Sequence, residues 1–253
     1  PEPLRVAGRA CTALHAVVSR DVSAAAPFAS SSEASSSGCA DADGIDQDTQ
    51  LESWSMGKSV TATMVGLLMQ QGAISADLDA PPPIAAWKDD ERSAIRMRDI
   101  LQVSHMPTHV ADITVKGEAD AIHVQMSSGL RFSGFDSPRE EWDHGRPDHA
   151  LMYSEAIDCF EWAISRPLEH PPGTVGRYRN CDPLSLGFIV RQTVEANGGG
   201  YLTFPQRELF DPLGIRKQIL ETDLWGNFIL TGFDCKCSRS LCVFFEEAQS
   251  SGC

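Results

Sequence analysis

The strongest hydrophobic pattern in the chain runs from Ser55 to Gln71, with apolar side chains at Val60, Met64, Val65, Leu67, Leu68 and Met69, and Gly72 supplying a left-handed stop. From Ser53 to Ala76 the only charged residue is Lys58. A helix this apolar on most faces is expected to be buried, and a lone buried ammonium is costly unless something pairs or uses it. Asp77-Leu78-Asp79-Ala80 followed by Pro81-Pro82-Pro83 reads as an extended, helix-breaking loop. Helical spacing returns over Glu91 to Gln102 through Ile95, Ile100 and Leu101, and again over Asp148 to Ile164 through Leu151, Ile157, Phe160 and Trp162. Pro171-Pro172-Gly173 is a turn of restricted backbones that delivers Tyr178-Arg179-Asn180. The stripe Leu184, Leu186, Ile189, Val190 and Val194 then predicts a helix over Pro183 to Ala196, closed by Gly198-Gly199-Gly200. A shorter helix is expected from Leu202 to Phe210, and Phe228-Ile229-Leu230 is the best strand candidate late in the chain.

Three stretches stand outside this pattern. Residues 1–45 are rich in Ala and Ser, with the runs Ser30-Ser31-Ser32 and Ser35-Ser36-Ser37, and read as low-complexity linker; Arg5, Arg9 and Arg20 make a transit-like segment the alternative. Order is expected to begin near Gly44-Ile45-Asp46. Residues 103–125 mix Pro107, Gly117 and β-branched residues without a stripe and read as a surface insertion. Its His105, His109 and His123 invite a metal, but Pro107 spoils a helical pair and no carboxylate spacing completes a site. In the tail, Cys235, Cys237 and Cys242 are spaced for neither a C-x2-C pair nor a nearby His, and the bland reading of residues 235–253 is preferred over a soft-metal site.

Composition narrows the function. With 253 residues and 42% hydrophobic content the chain can build a real core, of one large domain or two smaller ones. The formal net charge of −14 argues against nucleic acid and against an anionic membrane surface. No run of about 18 apolar residues predicts a membrane span. The eight cysteines follow no framework spacing and are read mostly as reduced thiols. A soluble protein is expected, with the cytoplasm favoured and oligomeric state left open. The first residue, Pro1, is consistent with a processed or partial product.

The chemistry lies at the head of the central helix. Ser55 and Lys58 are spaced i to i+3, which puts both side chains on one helical face within reach of a shared proton. A serine hydroxyl needs a base to act as a nucleophile, and burial lowers a lysine's affinity for its proton enough to make it one. A four-residue match of this kind is weak alone; Tyr178-x-Asn180, after a Pro-Gly turn and before a helix, adds a phenol and an amide. Ser53-Trp54-Ser55-Met56-Gly57 is also one residue short of a G-x-S-x-G nucleophile elbow, but no β-rich strand is evident before Ser55, and Lys58 would have no role in one.

On these residues the chain resembles the β-lactamase-related serine hydrolases, the penicillin-recognising superfamily that includes class C β-lactamases, carboxylesterases and 6-aminohexanoate-dimer hydrolases. Ser-Trp-Ser-Met-Gly-Lys-Ser at 53–59 looks like the nucleophile box. Arg98-Asp99-Ile100-Leu101 with Met126-Ser127-Ser128-Gly129-Leu130 looks like the following segment, and Pro171-Pro172-Gly173-Thr174 with Tyr178-Arg179-Asn180 like the second box. The likeness covers roughly 44–102 and 126–233. It implies an α/β (α+β) fold of the β-lactamase/transpeptidase type, with a helical region around the nucleophile helix packed on an antiparallel sheet, incomplete in this chain. It divides the chain into an N-terminal segment 1–45, a partial domain 46–234 interrupted by the insertion, and the tail 235–253. It also implies Ser55 as the acylated nucleophile, Lys58 as its base, Tyr178 as handler of the leaving-group proton and Asn180 as a substrate ligand, with no metal or cofactor. The substrate class it implies is a small ester or amide. An esterase or short-amide hydrolase fits the Ser-Trp-Ser-Met-x-Lys style of box better than antibiotic resistance does. Three departures set up the alternative of a catalytically silent member that acts as a binding protein. The strands expected before the nucleophile fall in the Ala/Ser-rich segment, the insertion interrupts a continuous run, and no Lys/His/Trp-x-Gly triplet follows Gly232-Phe233.

Overall fold

The computed structural model describes residues 50–52, 55, 57–101, 126–216, 218–229 and 234–236, and only the backbone of the two strands. The segment 1–45, the insertion with His105, His109 and His123, and the cysteines at 237 and 242 lie outside the described residues.

Strand β1 (Gln50–Glu52) pairs antiparallel with β2 (Asp234–Lys236), Leu51 opposite Cys235. This three-residue strand ends at Glu52, three positions before Ser55, and is too short to show an alternating pattern in the sequence. β2 also straddles the boundary expected between domain and tail at 234. At Phe228 the backbone forms a single antiparallel bridge to Thr222 and Ile229 is in no strand; Leu230, the third residue of the expected strand, lies outside the described residues.

Helix α1 (Gly57–Gln70) follows Ser55 and buries Val60, Thr61, Thr63, Met64, Val65, Leu67 and Leu68, around most of its circumference. Fully burying each large apolar side chain of this kind contributes about 1.5–3 kcal/mol. The two threonines within it return their hydroxyls to the helix, Thr61 Oγ1 to the Gly57 carbonyl at 3.1 Å and Thr63 Oγ1 to that of Ser59 at 2.8 Å, so no buried hydroxyl is left unpaired. Gly72 ends the segment at φ 71°.

The expected helix over 91–102 is two pieces, a 3-10 turn (Glu91–Ala94) and α2 (Met97–Leu101). Asp99 makes the division: its Oδ2 accepts from Arg96 N at 2.9 Å, a donor that a continuous helix would have used, while Asp90 caps the 3-10 turn by accepting from Arg92 N at 2.9 Å. The expected helix over 148–164 divides in the same way, into α3 (Asp148–Ser154) and α4 (Cys159–Ile164), because Asp158 caps α4 through the N–H groups of Phe160 and Glu161. Ile157, counted in the stripe, is 58% exposed in the gap.

Helix α5 (Cys181–Ala196) starts two residues before Pro183, which the first turn tolerates because its missing N–H has no intrahelical partner there. It packs on α1, α2 and α4 and carries Leu184, Leu186, Ile189, Val190 and Val194 into the core. Trp87 is buried beside them, with its indole donating to the Ile164 carbonyl at 2.8 Å. Beyond Gly200 the expected helix from 202 to 210 is a 3-10 turn (Tyr201–Thr203) and one wide turn of π type (Gln206–Phe210). No helix among the described residues is long and apolar enough to cross a membrane.

Candidate active site

Residues 126–131 are the spine of the site, clasped on both sides by backbone. Ser127 N donates to the Asp99 carbonyl at 3.1 Å, tying the spine to α2. On the other side Arg131 N meets Pro167 O at 2.9 Å, Glu169 N meets Gly129 O at 2.8 Å, Gly173 N meets Ser127 O at 2.8 Å, and Arg177 N meets Met126 O at 3.1 Å. The Pro171-Pro172-Gly173 turn thus lies flat against the Ser-Ser-Gly-Leu stretch. Gly129 has φ 78°, and a Cβ there would come within 2.1 Å of the His170 carbonyl oxygen, so the close approach needs glycine.

Two buried side chains lock the exit of this loop. Arg179 is inaccessible to solvent; its Nε donates to the Leu130 carbonyl and its Nη1 to the Met126 carbonyl, both at 2.8 Å. Ser128 Oγ donates to Asp182 Oδ1 at 2.6 Å, pinning the start of α5 to the spine. Burial pushes the Asp182 carboxyl up to about 6 against the nearby Arg179 charge and the Ser128 bond. Cys181, the next residue back, is a free buried thiol whose ionisation burial pushes well above the usual range.

With the loop so fixed, Tyr178 reaches the head of α1, 123 residues earlier in the chain, and its hydroxyl is in hydrogen-bond contact with Ser55 Oγ. Lys58 Nζ donates to the same Ser55 Oγ at 3.1 Å and stands 4.7 Å from the centre of the Tyr178 ring. Ser55 is exposed and sits just ahead of α1, two residues earlier than the first helical residue. Lys58 is half-buried, and burial brings its ammonium down to about 7. At neutral pH a substantial share of Lys58 is therefore the free amine, with a lone pair within reach of the serine proton.

Asn180 is 1% exposed, and its Nδ2 donates to His149 Nδ1 at 3.1 Å. His149 lies on α3 against Phe135, with ring centres 4.7 Å apart, and against Phe132 and Tyr153. The structure so brings Ser55, Lys58 and Tyr178 into mutual contact and links Asn180 to a histidine. Sequence reasoning passed over His149, Arg179, Asp182 and Ser128. Arg179 and Ser128 were inside quoted motifs, but nothing in one sequence separates a buried strut from an exposed neighbour.

The family model described as Beta-lactamase matches residues 34–220 of the 253. No curated protein matches the chain. The match spans α1 with its Ser55 head, the clasped spine, the Pro-Gly turn and α5, and over that span the chain belongs to the beta-lactamase family, in general a family of serine hydrolases.

Proposed function

We propose that this chain is a serine hydrolase that cleaves a small ester or short amide through an acyl-enzyme on Ser55. The observation that carries the reading is the 3.1 Å contact between Lys58 Nζ and Ser55 Oγ, made by a lysine whose burial favours the free amine. Lys58 accepts the Ser55 proton as Oγ attacks the substrate carbonyl, and the tetrahedral oxyanion forms beside the Ser55 N–H at the head of α1. Tyr178, in contact with Ser55 Oγ and under the Lys58 ammonium, passes that proton to the leaving oxygen or nitrogen as its bond to carbon breaks. Water then attacks the acyl-enzyme, gives its proton back along the same route, and releases the acid and a regenerated Ser55. Asn180 serves as the substrate's polar ligand.

Covalent labelling with a fluorophosphonate, read by intact mass and peptide mapping, tests this. One adduct on Ser55, lost in Ser55→Ala and in Lys58→Ala, is expected. A folded protein that takes no label at Ser55 overturns the reading and leaves the silent, binding-only member of the family.

A further inference from the structure

The Asn180 side chain is almost wholly buried, yet only one end of its amide is accounted for. Nδ2 donates to His149 Nδ1, which makes that imidazole the neutral form with its proton on Nε2. Oδ1 is buried with no partner among the described residues. A buried amide oxygen without a donor is an unfavourable state that a ligand N–H would relieve. His149 itself is fixed. Its backbone N–H donates to the Ser133 carbonyl at 3.1 Å, and three aromatic rings bound its side chain.

We infer that His149 is a positioning residue that sets which end of the Asn180 amide meets the substrate: neutral, it holds Nδ2 and leaves Oδ1 for a substrate N–H, and protonated, it turns the amide over. An imidazolium presents N–H at both nitrogens, so Nδ1 can no longer accept from Nδ2 and draws Oδ1 toward itself. The inference rests on the hydrolase reading for its substrate. That substrate is an ester or amide bearing an N–H within a few atoms of the scissile carbonyl, bound best while His149 is neutral. The charges that face the ring are Lys58 on α1 and Asp136 on the loop before α3; Asp148, its neighbour, turns its carboxylate to Ser133 and Arg166. Burial and then the Lys58 charge lower the imidazolium's pKa, and Asp136 opposes them, so the neutral ring is the prevailing form at neutral pH.

Two p-nitrophenyl esters make the test, that of N-acetylglycine and that of levulinic acid, which replaces the N–H by CH2. Their KM ratio cancels the titration of Lys58, which both share. In the wild type the N–H ester is expected to bind about five- to tenfold better above the His149 titration, the worth of one neutral hydrogen bond, with the preference lost below it. His149→Phe should remove the pH step, while His149→Gln, an acceptor that does not titrate, should keep the preference at every pH. A ratio that is flat in the wild type, or a step that survives in His149→Phe, overturns the inference. Side-chain NMR gives a second reading that needs no turnover: the Asn180 amide signals should move with the midpoint of the His149 ring, and signals that stay still while the ring titrates sink the idea. Failure of the hydrolase reading looks different, since neither ester is then turned over while the NMR titration still decides the role of His149.

Discussion

Arg179 donates from Nε to the Leu130 carbonyl across 2.8 Å, and this bond joins the residue after Tyr178 to the end of the clasped spine. With the second bond to Met126 O, it makes one guanidinium the common anchor of both halves of the site. Arg179→Met should remove these bonds from buried carbonyls and lower stability by about 3–5 kcal/mol, as measured by urea unfolding. Arg179→Lys should recover little of it, because a point ammonium cannot span both carbonyls.

Lys58 gives the pH dependence its sign. A base must be unprotonated, so kcat/KM should rise with pH through a limb near 7 and hold above it. Stability should move the same way. The folded state binds the Lys58 proton less tightly than the unfolded chain does, so the unfolded chain holds the extra proton between about 7 and the ordinary lysine range near 10.5, and this group's contribution grows as pH rises across that window. Lys58→Met should abolish the rising stability contribution and the activity together, by thermal melts and initial rates over the same pH series.

Tyr178→Phe removes one hydroxyl and leaves the ring under Lys58. The rate should fall by about 10²- to 10⁴-fold, the usual worth of a positioned proton donor, with little change in melting temperature. A wild-type rate in this variant would remove Tyr178 from the mechanism.

Gly129→Ala should be among the most damaging small substitutions in the molecule. The added methyl falls on the His170 carbonyl oxygen and the backbone stays at positive φ, so the clasp must open. Circular dichroism melts should show a loss of more than about 2 kcal/mol, and Ser55 labelling should slow with it.

How far the sequence could be read depends on which force sets each feature. Helices α1 and α5 were legible because both are buried around most of their surface, and their apolar stripes reflect that directly. The divisions at Asp99 and Asp158 were not, because an aspartate in a helical stripe looks like any polar position until its carboxylate is seen capping N–H groups. Ser55, Lys58, Tyr178 and Asn180 could be nominated from motif spacing. Their supports could not, since Arg179 and Asp182 owe their roles to burial by segments distant in the chain. His149 carried no signal at all: its neighbour Asn180 is 31 positions away, and only the fold sets the two nitrogens 3.1 Å apart.

The pairing of β1 with β2 has a consequence for the order in which the molecule assembles. Strand β1 ends three positions before Ser55, while its partner is the most C-terminal described segment. During synthesis Ser55 and Lys58 emerge before α5, and α1 can collapse onto apolar surface as soon as α5 follows. Strand β1 stays without this partner until Asp234–Lys236 leave the ribosome, because contacts so distant in sequence form late. A nascent chain arrested before residue 234 should therefore hold the lysine and tyrosine in place yet label slowly at Ser55, and its release should bring the labelling rate up.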